Sequence, residues 1–272
     1  MSLNFACITP HAPILIPEIG QEDLTKVTKT VDGLKKIAQS FGEAEIDTLI
    51  FISPHALVFP DRFNISTMSK NLGNLAQFGQ PNIKFEFNND LELVDQILTF
   101  AKEENIPVFP YDNNGDFFEL DHGIMVPLYY LRAEQDSSLK IIPIAYSGLT
   151  RAQHFTFGQL IGAAAKAHPE RVGIVASGDL SHRLISGAPQ DNPNAGKNFD
   201  ILLTEDLAAN NIQEIMFYEE DFVENAGECG YRSIITLLGA LDNIKVKPEL
   251  LSYEGPFGVG YTTINYILPE TD

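Results

Sequence analysis

The chain of 272 residues has no tryptophan and only two cysteines, Cys7 and Cys229. Two thiols cannot build a disulfide framework, so a stapled extracellular scaffold is not expected, and the usage suits a reducing cytoplasm. Basic residues are scarce: 18 Lys and Arg stand against 37 Asp and Glu, a net charge of -19. A surface of that sign repels phosphate backbones and anionic lipid headgroups, which argues against nucleic acid and membrane partners. No apolar run approaches the ~20 residues of a membrane-spanning helix. The N-terminus lacks the charged region, apolar stretch and small-residue cleavage site of a signal peptide. No Gly/Ser/Pro linker, low-complexity tract or charge block interrupts the chain, so residues 1–272 are expected to form one domain. A G-x-S-x-G elbow, a Walker A loop and a G-x-G-x-x-G after a strand are also missing.

What the chain does have is two stretches that echo each other. The first is Phe5-Ala6-Cys7-Ile8-Thr9-Pro10-His11-Ala12 and the second is Leu49-Ile50-Phe51-Ile52-Ser53-Pro54-His55-Ala56. Each is an apolar run of strand length, closed by Thr-Pro or Ser-Pro and then a histidine. Proline cannot continue a β-ladder, so each histidine stands just past the carboxyl end of a buried strand. That edge is where open α/β sheets bind ligands. Between the two, Leu24, Val27, Val31, Leu34 and Ile37 recur at intervals of three and four, which predicts a helix over 21–41. Strand, helix, strand is a βαβ unit, so the two strands run parallel. Side by side, they would aim both imidazoles into one crevice.

Further helices are predicted over 90–104, 124–132, 152–167, 199–207, 212–223 and 231–241. Strands are predicted at 64–68, 83–87, 106–109, 140–146, 172–176, 246–252 and 258–267. The alternation gives an α/β fold, a single domain with a mostly parallel central sheet flanked by helices. Loops 111–119 and 185–198 are candidates to cover a site.

Four of the six histidines, His11, His55, His122 and His182, stand at strand ends or helix starts among small residues. The other two, His154 and His168, lie near helix ends and read as surface residues. Two histidines and one carboxylate on one face of a cation leave open positions opposite, as in non-heme Fe(II) oxygenases. His11 and His55 would supply the nitrogens. Glu228, in the turn Gly227-Glu228-Cys229-Gly230, is the candidate carboxylate; its other reading is an acid favoured by the dipole of the following helix. Cys229 competes as third ligand and would suit softer metals. His122 and His182 suit proton transfer near neutral pH. Asp179 could orient His182 or cap its turn.

With those residues in place, the chain resembles the catalytic chains of the class III extradiol ring-cleavage dioxygenases, whose superfamily includes the Memo-like proteins (AmmeMemoRadiSam system protein B). The resemblance rests on Pro10-His11-Ala12, Ser53-Pro54-His55-Ala56, Asp121-His122-Gly123, Gly178-Asp179-Leu180-Ser181-His182 and Glu228-Cys229-Gly230. The stretch Glu254-Gly255-Pro256-Phe257-Gly258-Val259-Gly260-Tyr261 looks like the C-terminal signature of the Memo-associated branch.

The resemblance implies Fe(II) held by His11, His55 and Glu228, with His182 as acid/base and His122 assisting oxygen and proton handling. The implied reaction opens a small catechol-like aromatic diol with O2. In the Memo-like branch a cysteine followed by glycine occupies the third-ligand region. Cys229 is therefore the alternative ligand, and a metal-binding or redox protein without ring cleavage the alternative function. Zinc accepts the same donor set and is the alternative cation. Arg183 and Arg232 are the arginines adjacent to these residues; Arg232, one helical turn beyond Glu228, reads as a structural partner of that or another acid, which leaves a neutral diol as the expected substrate. Oligomeric state is left open, a homo-oligomer included.

Overall fold

The computed structural model describes residues 3–131, 138–187, 189–190 and 192–269. The elements run β1 (Leu3–Thr9), α1 (Pro17–Gly20), α2 (Thr28–Ala44), β2 (Thr48–Ser53), β3 (Phe63–Ser66), β4 (Lys70–Leu75), β5 (Gln80–Asn88) and α3 (Leu91–Glu103). They continue with β6 (Val108–Tyr111), β7 (Phe118–Glu119), α4 (His122–Leu131), β8 (Lys140–Ala145), α5 (Arg151–Ala167), β9 (Val172–Ser177) and α6 (Ala195–Ala209). The last are α7 (Ile212–Met216), α8 (Glu220–Ala226), α9 (Tyr231–Ala240), β10 (Lys247–Glu254) and β11 (Tyr261–Ile267). No described helix is long and apolar enough to cross a membrane.

The strands form one sheet in the order β10-β11-β1-β9-β2-β8-β5-β4-β7, with β3 joining β6 to β8. Its centre, β1-β9-β2-β8, is parallel throughout. Antiparallel pairs flank it, the β10–β11 hairpin on β1 and β4–β5 on the other side. The two echoed strands are parallel, yet they are not neighbours: β9 lies between them and pairs with both. A strand inside a parallel sheet is buried on both faces and so reads as a continuous apolar run. Val172–Ser177 is such a run, buried at every position.

Alternation along these strands feeds two cores. Ala6, Ile8, Ile50, Ile52, Ile174 and Ala176 pack with Leu93 and Ile97 of α3, Phe157 and Ile161 of α5, and Ile234 and Leu238 of α9. Phe5, Cys7, Leu49, Phe51 and Val175 turn the other way, onto Leu34, Ile37 and Phe41 of α2 and Ile124 and Leu128 of α4. The result is three layers, helices on both faces of the sheet.

Several local readings shift. The 21–41 helix is broken: 3₁₀ turns over Gln21–Lys26 precede α2, and the two are separated at Val27, whose φ of -124° and ψ of 31° are not helical. Between the strands predicted at 64–68 and 83–87 lies a further strand, β4, paired with β5, and the 212–223 helix splits into α7 and α8. Arg132, expected to end a helix, lies outside the described residues, as do 188 and 191 of the 185–198 loop. His154 and His168 are buried, contrary to their surface reading. His154 packs against the Phe63 ring at 4.8 Å and its Nδ1 pairs with the Thr150 carbonyl at 2.9 Å.

Helices α5 and α9 cross closely because glycines line the contact. A Cβ on Gly158 would lie 2.0 Å from the Thr236 carbonyl oxygen, a backbone atom that cannot swing away. Gly158→Ala should therefore destabilise by at least ~1–3 kcal/mol, the usual cost of overpacking. A chain of this size loses roughly 2–4 °C of melting temperature per kcal/mol. A variant that melts with the wild type would contradict the crossing described.

Candidate metal centre

Ladder register sets the level of the site. Thr9 pairs with Ser177, and Ile52 with Ala176, so Thr9, Ser177 and Ser53 end three adjacent strands at one height. Two residues beyond each stand His11, Asp179 and His55. The turn before α9 closes on this edge because Gly178 meets Gly230: a Cβ on Gly178 would fall 2.1 Å from the Gly230 Cα. The Gly230 N–H donates to the Asp179 carbonyl at 2.9 Å, which clamps the turn down.

Within this crevice His11 is buried, His122 half-buried and His55 exposed, and their ligand-capable nitrogens all lie within 4.8 Å of one another. The Nε2 atoms of His11 and His55 are 2.9 Å apart. That is roughly the separation of two ligand atoms each about 2.1 Å from a common cation. The His122 ring stacks on His55 at 4.1 Å between centroids. Cys229 Sγ stands 3.5 Å from His11 Nε2.

The tautomer of His11 follows from α4. Pro127 lies inside that helix and has no N–H to give to the carbonyl of Gly123, four residues earlier. The freed carbonyl instead accepts from the Ser177 hydroxyl at 2.5 Å. With its one proton committed, Ser177 Oγ accepts from His11 Nδ1 at 2.9 Å. The proton of neutral His11 thus sits on Nδ1, and the lone pair of Nε2 points toward His55 and Cys229. Outer partners of this kind fix the orientation of metal-binding histidines.

Electrostatics agree. Burial, then the charges of His122 and His182, push His11 down to about 3; burial and the charges of His11, His122 and His182 take His55 to about 3. Both imidazoles are neutral at pH 7, the form a cation needs. Burial raises Asp179 to about 6, against the hydrogen bond from the His11 N–H to its Oδ1 at 2.9 Å. Asp179 thus serves the His11 main chain and does more than cap its own turn. Burial also lifts the Cys229 thiol well above its usual value, so a cation binding there would displace a proton.

Cys229 is not in the group formed by His11, His55 and His122, and neither is Glu228, the expected third ligand. Its Oε2 accepts the Tyr231 N–H at 2.5 Å at the start of α9, and burial raises the carboxyl to about 7. Its neighbour Cys229 is the residue that the turn directs at His11. His182 lies outside the group as well, exposed, with its main-chain N–H on the Gly227 carbonyl at 3.3 Å. A charge on His182 is felt by His11, His55 and Asp179.

Two cavities flank the centre. One of about 340 Å³ is lined by His55, His122, Tyr111, Phe118 and Leu120, among others. The other, about 620 Å³, lies beyond the turn and is lined by Glu228, Tyr231, Arg151 and Arg232 with others. A second cluster, Asp90, His168 and Glu170, could also hold a cation by its donors. Lys140 Nζ already sits there, 2.8 Å from Asp90 and 2.5 Å from Glu170, so the charge is balanced by a side chain.

Ser177 and Pro127 are the contributors that sequence reasoning missed. A hydroxyl residue closes each of the three strands (Thr9, Ser53 and Ser177), and that repetition was the available signal. Ser53 uses its hydroxyl on Asp121 Oδ1 at 2.6 Å, a carboxyl raised by burial, just before His122.

Residues 5–264 match the family described as the catalytic LigB subunit of aromatic ring-opening dioxygenase. Protein CA_C1420 of Clostridium acetobutylicum is 37% identical over 267 residues, covering 96% of this chain and 57% of that protein. A 3,4-dihydroxyphenylacetate 2,3-dioxygenase of Escherichia coli is 28% identical over 171 residues, 57% of this chain and 56% of its own length. The MEMO1 family protein MmarC5_0191 of Methanococcus maripaludis is 25% identical over 169 residues, 58% of this chain and 56% of its own. The chain thus spans a little over half the length of these curated relatives. The crystal structure of uncharacterized protein JW3007 from Escherichia coli K12 superposes with a TM-score of 0.65 at 16% identity, over 96% of this chain and 98% of that one; this likeness shows the fold alone.

Proposed function

Because this chain belongs to the family of the catalytic LigB subunit of aromatic ring-opening dioxygenase, we propose that it is a metal-dependent oxidoreductase of the dioxygenase type. Its cation is held by His11 and His55 and completed from the Glu228–Cys229 turn; its substrates are a small aromatic diol and O2. The observation that carries this reading is the pair of Nε2 atoms 2.9 Å apart, with the His11 lone pair turned inward by Ser177. Fe(II) is the cation this chemistry asks for, and when bound it supplies the electron path between diol and O2. The remaining work falls to the chain. The cavity beside His55 and His122 receives the ring between Tyr111, Phe118 and Leu120. His182, exposed and near enough for its charge to be felt at His11 and His55, removes a diol proton at its ring nitrogen. His122, stacked on His55, handles the second proton. Loop 111–119 supplies Tyr111 and Phe118 as apolar cover against water.

A second reading, a Memo-like metal-binding or redox protein without ring cleavage, is favoured by Cys229. Its Sγ is 3.5 Å from His11 Nε2, whereas the Glu228 carboxylate is engaged by the Tyr231 N–H. Oxygen uptake by anaerobically purified, Fe(II)-loaded protein on a panel of catechols separates the two. Uptake supports ring cleavage; bound iron without uptake moves the protein to the second reading.

The identity of the third ligand is tested by substitution. Cys229→Ser is expected to weaken Fe(II) affinity by at least ~10-fold, the floor for losing a partner of a metal site, while Glu228→Gln leaves it near wild type. Affinity should also rise with pH, because the thiol must lose its proton. The opposite ranking of the two variants would assign the position to the carboxylate.

A further inference from the structure

The larger cavity shares only the Glu228 turn with that reading, and its chemistry is unusual for this chain. Acidic residues outnumber basic ones by 37 to 18, yet two arginines, Arg151 and Arg232, line this hollow of about 620 Å³. Arg151 is anchored: Nη1 donates to the Tyr218 carbonyl, and the guanidinium lies 5.4 Å from the centre of the Tyr231 ring. Arg232 is not. It is half-buried, and its guanidinium makes no ion pair or hydrogen bond among the described residues. Its spacing from Glu228, one helical turn, predicts a pair. Glu228 instead turns its Oε2 to the Tyr231 N–H and feels Arg232 only through space.

A half-buried guanidinium whose N–H donors are unmatched, its charge offset by Glu228 only at a distance, is costly, and a carboxylate is the group whose two oxygens match its fork. The start of α5 is not the anchor, since Thr150 and Gln153 already close a capping box there. Leu149, Val223 and Tyr231 give the hollow an apolar wall. Glu220 and Glu224, both exposed, give it an acidic rim that disfavours a second negative charge on the ligand.

We infer that this cavity binds a small monocarboxylate, its carboxylate on Arg232 with Arg151 in the same wall and its apolar body against Leu149, Val223 and Tyr231. The site goes beyond the metal-centre reading and does not depend on it.

Calorimetric titration of the metal-loaded full chain with benzoate, with neutral benzamide as the control, tests this. Benzoate should bind at least ~10-fold more tightly than benzamide, a difference that one charge-assisted pair supplies, and the preference should shrink at higher salt. Arg232→Gln should abolish the preference while Fe(II) affinity stays at the wild-type value; Arg232→Lys, which keeps the charge but not the fork, should retain a part of it. Equal binding of the two probes, or no benzoate binding, overturns the proposal. So does benzoate binding that survives Arg232→Gln, which would put the carboxylate on the metal. A fall in Fe(II) affinity in Arg232→Gln overturns the independence of the two sites. Should Arg232→Gln not fold, judged by circular dichroism, the wild-type comparison and Arg232→Lys decide.

Discussion

Replacing His182 by alanine is expected to leave bound metal near the wild-type amount while turnover falls by ~10²–10⁴-fold, the usual range for loss of a general base. The imidazole lies outside the nitrogen group of His11, His55 and His122, so removing it takes no ligand away. Its loop is held by contacts that do not involve the ring. Ser181 Oγ donates to the Ala226 carbonyl at 2.7 Å, the Ser181 N–H to Asp200 Oδ1 at 2.8 Å, and the Leu180 N–H to the Gly260 carbonyl at 2.8 Å. The frame should therefore survive the substitution. Metal analysis and oxygen uptake on the same preparation check both halves. Iron lost together with activity would make His182 a ligand, not a base.

The second large effect is expected one step removed from the cation. Ser177→Ala should weaken Fe(II) affinity by ~10–100-fold, as loss of an outer partner of a metal-binding histidine does. Without the hydroxyl, His11 Nδ1 loses its acceptor at 2.9 Å, and the Gly123 carbonyl loses the donor that Pro127 cannot replace. The imidazole is then free to carry its proton on Nε2, which cannot bind a cation until that proton leaves. Competition against a chelator of known affinity measures the change. Wild-type affinity in Ser177→Ala would show that the hydrogen-bond chain from α4 to His11 does not set the tautomer.

Much of the frame was legible because its signals are local. An apolar run ended by Thr-Pro or Ser-Pro announces a buried strand and its carboxyl end, whatever lies beside it. The 3.6-residue spacing announced α2 over most of its length, and a strand-helix-strand order fixed the parallel direction. The break at Val27 was not legible, since that valine keeps the apolar spacing of a helix while its backbone leaves the helical region. His154 and His168 misled because helix ends are usually exposed. In this chain His154 packs on the Phe63 ring and His168 sits beside Asp90, so both histidines are buried.

Residue pattern alone was enough to put His11 and His55 at parallel strand ends, to place Glu228 and Cys229 in one turn, and to make the scaffold α/β. Which of these residues meet was settled by packing between elements distant in the chain. The sheet took β9 between β1 and β2, because a strand that is apolar on both faces is most stable where both faces are covered; this brought Ser177 under His11 and Asp179 onto its main chain. Glu228 turned to the first N–H of α9, where an unpaired donor and the helix dipole attract an acid, and so left Cys229 beside His11 and Arg232 without its expected partner. Adjacent side chains in a tight turn point in different directions, and which one faces the centre depends on what the rest of the fold offers each of them.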